Sequence, residues 1–386
     1  MGLLSSFADG IGGFFFVLVS FLFVLTVVVF VHELGHFLVA RWCGVNIKAF
    51  SIGFGREIFG FFDRHGTRWR IAWIPLGGYV KFMDDENAAS AGPSASLEEM
   101  TPEERAGAFH AKPLWQRAAV VAAGPIANFL LAIVIFALMF SLIGVRSTAP
   151  RVDEVVPSSP AAAAGFMPGD VILAIQGERV ETFNDVLRTV STSPGRELAI
   201  KVKRGEETLT LQVTPERQEV QDNFGGTIVR GIIGIRRVTT PETLELRRAG
   251  PLEAVWLGVH ETKFIITSTL SYIGDVVVGR QSADQLGGPI RIAEVSGQVA
   301  AIGPEALLNL IAVISVSIGL INLFPIPLLD GGHLLFYAIE GLRRKPLSER
   351  TQEIGFRIGL ALVLMLMVFA TWNDRLIVWR WITGNG

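Results

Sequence analysis

The sequence predicts an α-helical polytopic membrane protein with about four transmembrane helices and one soluble α/β domain inserted between the second and the third. Three observations carry that expectation. Only 18% of the 386 residues are charged, against about 25% in an average soluble domain. The apolar residues are gathered into long uncharged runs instead of being spread along the chain. Between the second and third runs, residues 146–300 hold 36 charged side chains in 155 positions, the ratio of a soluble domain.

The runs come in order. Residues 14–31 carry no charge, residues 118–145 are uncharged between Arg117 and Arg146, and residues 306–329 are uncharged up to Asp330. Residues 358–373 form a shorter run that Arg357 can flank by snorkelling to the interface. About 20 apolar residues span the hydrocarbon, so three runs suffice and the fourth is marginal. The mean hydropathy of +0.45 agrees. Cys43 is the only cysteine, which excludes an intrachain disulfide scaffold, and 34 basic against 36 acidic residues exclude nucleic-acid binding driven by global charge.

Ten Lys/Arg fall within 41–117 and five within 343–357. By the positive-inside rule these segments are cytoplasmic, which puts the N-terminus and residues 146–300 on the far side, periplasmic in a bacterium. The chain then divides into a first transmembrane half (1–145), a far-side domain (146–240), an amphipathic, interfacial segment (241–303) and a second transmembrane half (304–386). Within the first half, 47–82 alternates in strand-like pieces punctuated by glycine and reads as a membrane-associated β-hairpin region or small sheet. Residues 84–112 read as a polar cytoplasmic linker with one short helix, in which His110 is solvated. Over 152–214, β-like runs, glycine turns and one helical stretch, led by AAAAGFMPGDVILAIQGERV, resemble a bacterial PDZ domain.

The chemistry sits at the end of the first run, in His32-Glu33-Leu34-Gly35-His36. Residues four apart on a helix share a face, so both imidazoles can reach one zinc ion. Glu33, about a quarter-turn away, can hold a carboxylate beside the open coordination position and act as general base and acid. An ionisable residue at membrane depth costs at least about 2.5–3.5 kcal/mol, and a metal is an economical partner for three such groups. A third protein ligand is needed. Asp330 is the candidate, at the end of the third run in NLFPIPLLDGGH, with His333 as its rival. Pro325 and Pro327 must break the helix just before it.

HELGH, the distant NLFPIPLLDGGH, and the segments IPLGGYVKF and AGPIANFLLA together resemble the site-2 protease family of intramembrane zinc metalloproteases, most of all the bacterial regulator-of-sigma-E protease group. The likeness covers nearly the whole chain. It implies one Zn2+ per chain held by His32, His36 and Asp330, with Glu33 as the base. It also implies hydrolysis of peptide bonds in transmembrane segments, in a bacterial inner membrane, with the active site toward the cytoplasmic side. The best-known members carry two tandem PDZ domains, whereas 146–240 has room for one.

Substrates implied by the resemblance are single-pass membrane proteins already shortened by another protease, such as anti-sigma factors, or remnant signal peptides. The PDZ domain would act as a size filter or as reader of a new C-terminus. Asn322 corresponds to an asparagine linked in that family to substrate handling. Asn128, in Gly124-Pro-Ile-Ala-Asn128, is a buried amide that serves either a helix–helix hydrogen bond or a substrate contact. Gly78, Tyr79 and Val80 are candidates for an edge strand that holds an unwound substrate by β-addition. A catalytically silent PDZ-bearing membrane adaptor is the alternative, and the intact Glu33 speaks against it.

Overall fold

The computed structural model describes residues 2–84, 100–221, 227–238, 245–283 and 287–374. Most of the expected linker and the tail beyond Asp374 therefore lie outside the described residues. The chain divides into two compact units, one of Met1–Phe136, Gly258–Ile266 and Leu286–Gly386, the other of Ala137–Leu257 and Thr267–Gln285.

The first unit opens with helix α1 (Gly2–Trp42), then strands β1 (Ile47–Phe62) and β2 (Arg68–Phe82), the short helix α2 (Pro102–Gly107) and α3 (Leu114–Leu138). β1 and β2 are longer and more bent than a simple hairpin. Residues 49–52 pair on one side with 78–81 and on the other with 68–71, which in turn pair with 59–62. Two bent strands thus make a sheet of four segments. Gly53 and Gly55 take φ of +86° and +87° where β1 turns, and Gly77 takes +131° where β2 does, conformations costly for other residues. The segment 78–82 is left as an edge among the described residues. Its end is latched by Asp84, 1% exposed, which accepts from the backbone amides of Phe109 and His110 and from His110 Nδ1 at 2.7 Å. Burial alone would raise the Asp84 carboxyl; the hydrogen bonds from His110 and the two amides outweigh it and hold it below the ordinary range. His110 is therefore not solvated as its neighbours suggested, because the fold brings its ring onto a buried carboxylate.

In the second unit, β3 (Val145–Ser147) pairs with β12 (Glu245–Arg247), closing the base of the insertion. Between them lie β4 (Glu154–Val155), α4 (Pro160–Ala163), β5 (Val171–Ile175), β6 (Glu178–Arg179), α5 (Phe183–Ser191), β7 (Leu198–Arg204), β8 (Glu207–Val213), β9 (Glu216–Gln221), β10 (Thr227–Ile232) and β11 (Ile235–Arg236). The central sheet runs β6-β5-β7-β8. Ile172, Ile200 and Val202, inward positions of β5 and β7, with Val186 of α5 and Val152 ahead of β4, are fully buried in its core. Asp170, in the Gly169–Asp170 turn, is wholly buried and accepts from Arg204 at 2.8 and 2.9 Å and from Met167 N. Burial would raise its carboxyl, but Arg204 and the amide together hold it low. Its stabilising share is complete above the ordinary carboxylate pKa of about 4 and fades as pH falls through the lowered native value.

The chain continues through α6 (Pro251–Val277), α7 (Pro289–Ile302), α8 (Pro304–Asn322), α9 (Asp330–Arg343) and α10 (Glu349–Asn373). Among the described residues, four stretches are long and apolar enough to cross a membrane, Gly12–Trp42, Leu114–Ile143, Pro304–Asn322 and Arg350–Asn373. The third apolar run is not one helix. α8 stops at Asn322, the backbone turns through Pro325 and Pro327 with Leu328 at φ +108°, and α9 starts on Asp330. The fourth helix begins before its apolar run, taking in Arg350 and an Arg357–Glu353 pair at 2.5 Å.

Candidate metal centre

His32 and His36 stack one turn apart on α1, ring centroids 4.8 Å apart and nearly perpendicular. Asp330 reaches them from the first residue of α9. Its Oδ2 lies 3.1 Å from His32 Nε2 and its Oδ1 3.6 Å from His36 Nε2, while the two Nε2 atoms are 3.2 Å apart. Corners of a tetrahedron with arms of about 2.0–2.1 Å, the length of zinc–nitrogen and zinc–oxygen bonds, are about 3.3–3.4 Å apart. The three donors match that spacing. Asp330 Oδ2 is buried without a hydrogen-bond partner: it lies close to His32 Nε2 but off hydrogen-bond geometry, as expected of an atom aimed at a shared centre. The donor set therefore fits a metal, and these are the residues that would hold it.

Packing brings the donors together from distant parts of the chain. Phe37 of α1, Phe50 of β1, Phe82 of β2, Phe109, Val120 of α3 and Tyr337 of α9 belong to one buried cluster beneath the site. Arg117 of α3 holds α9, donating to Glu340 at 2.7 Å and lying 4.9 Å from the Tyr337 ring centroid. Two glycines make room. A side chain at Gly35 would overlap the carbonyl of Ala123 and come within 2.7 Å of Ala127 Cβ; one at Gly124 would strike His36 and come within 2.9 Å of His32 Cε1.

A cavity of about 260 Å³ opens on the cluster, and its wall includes His32, Glu33, His36, Asp330, Asn322, His333 and the edge residues Gly78, Tyr79 and Val80. The Glu33 carboxylate accepts from the backbone N–H of Val80, which ties the candidate base to the sheet edge. His333 lines the cavity, but the three donors that meet are His32, His36 and Asp330. Asn128 is placed differently: it is fully buried, outside the cavity wall, and its amide lies 3.2 Å from His32 Nδ1. Sequence reasoning missed the Val120 carbonyl, which accepts from His36 Nδ1 at 2.8 Å, because no side-chain pattern marks a backbone acceptor.

Two imidazoles and a second carboxylate, Glu33, on a helix of membrane-crossing length, met by Asp330 from the start of α9, are the donor set of a membrane metallohydrolase. The family model described as Peptidase family M50 matches residues 20–366, and the chain belongs to that family, the site-2 protease family its motifs resemble. It is 54% identical to the Agrobacterium fabrum protein named "Putative zinc metalloprotease Atu1380" over 92% of this chain and 95% of that one. It is 42% identical to "Metalloprotease MmpA" of Caulobacter vibrioides over 96% and 99% of the two chains. Both the family and the apolar helices mark a multi-pass membrane metalloprotease. Among solved structures, the PDZ domain of an SdrC-like protein of Listeria monocytogenes is 22% identical, covering 24% of this chain and 88% of that one at a TM-score of 0.18.

Proposed function

We propose that this protein is an intramembrane zinc protease that hydrolyses peptide bonds in transmembrane segments of single-pass proteins already trimmed by another protease. The convergence of His32, His36 and Asp330 in one cavity with Glu33 carries the reading. One zinc per chain is held by those three residues. Zinc bound there supplies Lewis acidity, which acidifies water and polarises a carbonyl. Glu33 takes the proton of the attacking water on its carboxylate and delivers it to the departing amine, so the base of the first step is the acid of the second. The Val80 N–H keeps that carboxylate oriented toward the cavity.

A helical substrate must unwind before its peptide bond is reachable. The edge at 78–82 offers it a strand to pair with, directly beside Glu33. Asn322, on the cavity wall, supplies an amide to a substrate peptide group. The distribution of Lys and Arg supports an inner-membrane orientation with the N-terminus and residues 146–240 periplasmic and the site toward the cytoplasm. We assign residues 146–240 as the PDZ domain. Within it, a groove of about 530 Å³ between α5 and the 230–235 segment, walled by Val186, Val190 and Ile232, supports reading of a newly made chain end.

The test is cleavage of a single-pass model substrate by the purified protein. Mass spectrometry is expected to place the cut inside the membrane segment, only after the far-side domain has been trimmed. Chelation is expected to stop the cut and zinc to restore it. Zinc-loaded protein that leaves the trimmed substrate whole overturns the reading. A photo-crosslinking residue at Tyr79 is expected to capture the same segment; capture from elsewhere on the sheet and none from position 79 removes the edge-strand role.

A further inference from the structure

The two histidines are held from behind by different groups on one face of α3. His36 Nδ1 donates to the Val120 carbonyl, and because a carbonyl only accepts, the neutral ring keeps its proton on Nδ1. The Nε2 lone pair of His36 is then free on the side facing Asp330. Eight residues further along α3, the Asn128 carboxamide stands 3.2 Å from His32 Nδ1. Gly124 lies midway between Val120 and Asn128, where only a hydrogen leaves space for both rings. The spacing 120, 124, 128 is one helical face, so the Gly-x-x-x-Asn pattern belongs to the support of the two histidines.

The amide has Nδ2 toward the ring and Oδ1 buried without a partner. The two ends of a carboxamide exchange by a half-turn that leaves its shape unchanged. With Nδ2 toward the ring the amide oxygen has no partner, so the choice between the two orientations falls to the ring. If Nδ2 donates to Nδ1, the proton of neutral His32 moves to Nε2 and points at His36 Nε2, 3.2 Å away, which blocks ligation. If Oδ1 accepts from Nδ1–H, Nε2 carries its lone pair toward Asp330, as in His36. Metal-binding histidines generally donate their second nitrogen to an oxygen.

We propose that Asn128 turns its amide oxygen to His32 Nδ1 and thereby sets the tautomer and ring orientation of His32; it is a positioning residue and not a substrate contact. The proposal rests on the reading of His32, His36 and Asp330 as metal ligands. Its burial and its place outside the cavity wall fit that role. Ser315 Oγ donates to the Asn128 backbone carbonyl at 2.8 Å, and Gly319 brings α8 against the same turn, so the stretch of α3 that carries the amide is held at its crossing with α8.

The experiment compares full-length wild type, Asn128→Leu and Asn128→Asp by zinc affinity against a competing chelator and by kcat and KM at saturating zinc. Asn128→Leu keeps the volume and removes the oxygen; it is expected to lose about 10–100-fold in zinc affinity and to lower kcat with KM unchanged. Asn128→Asp keeps an acceptor and is expected to bind zinc within a few-fold of wild type. In wild type, nitrogen NMR of labelled histidine is expected to show Nδ1 protonated in both rings, a readout that needs no variant to fold. Wild-type affinity in Asn128→Leu, a raised KM with affinity unchanged, or an Nε2-protonated His32 overturns the proposal. Failure of wild type itself to bind zinc would instead remove the underlying reading of the three ligands.

Discussion

Glu33→Gln is expected to abolish cleavage while the protein still binds its metal. The substitution keeps the size of the side chain but removes the acceptor for the water's proton and the donor for the leaving amine. Positioned acid–base groups contribute about 10²–10⁴-fold each, and here one residue serves both steps, so a loss at the upper end of that range is expected. His32, His36 and Asp330 are untouched, so zinc content measured by atomic absorption is expected to equal wild type. The new amide can still face Val80 N–H with its oxygen, and the edge at 78–82 keeps its place. A Glu33→Gln protein that cleaves at even a tenth of the wild-type rate would require another base.

Gly359→Val is expected to have the next largest effect, although Gly359 lies on the fourth membrane helix and carries no chemistry. α10 passes so close to the turn before Asp330 that a Cβ on Gly359 would overlap the Pro327 carbonyl oxygen and stand 2.5 Å from its carbon. The obstruction is backbone, so no rotamer change removes it. Four residues earlier, a Cβ on Gly355 would come within 2.7 Å of the Phe336 ring, a side chain rather than backbone. Either α10 moves out or the 323–329 turn shifts, and Asp330 begins the helix that follows that turn. A displacement of about 1 Å at a reacting centre can cost about 10²-fold. Zinc affinity and cleavage rate are expected to fall together in Gly359→Val, with Gly359→Ala intermediate. Wild-type zinc affinity in both variants would show that the turn holds Asp330 without help from α10.

The difference between these two positions shows which features are legible in a sequence. His32, Glu33 and His36 are local: helical periodicity alone puts two imidazoles on one face with a carboxylate near it. Pro325 and Pro327 are equally local, since each removes a helical N–H and two so close together disfavour continuing the helix, and the structure has the break there. Gly359 was invisible, because its neighbour Pro327 is 32 positions away in sequence and a glycine in an apolar run has many explanations. The sheet shows the same limit. Alternation announced strands over 47–82, but the double pairing of residues 49–52 depends on how two bent strands fold across each other. His110 looked solvated for want of any local sign that Asp84 would be buried against it.

The amino-acid sequence by itself determined the long apolar helices, the charged strand-rich insertion between them, the HELGH face and the break before Asp330, because each depends on spacing within a few turns of chain. Tertiary structure decided how Asp330, expected as the third ligand, comes to meet His32 and His36, that Val80 lies on Glu33, and that Asn128 is buried behind His32 and off the cavity wall. Those outcomes depend on close approach between helices far apart in sequence, at Gly35, Gly124 and Gly359, and backbone proximity of that kind leaves no periodic trace in the chain.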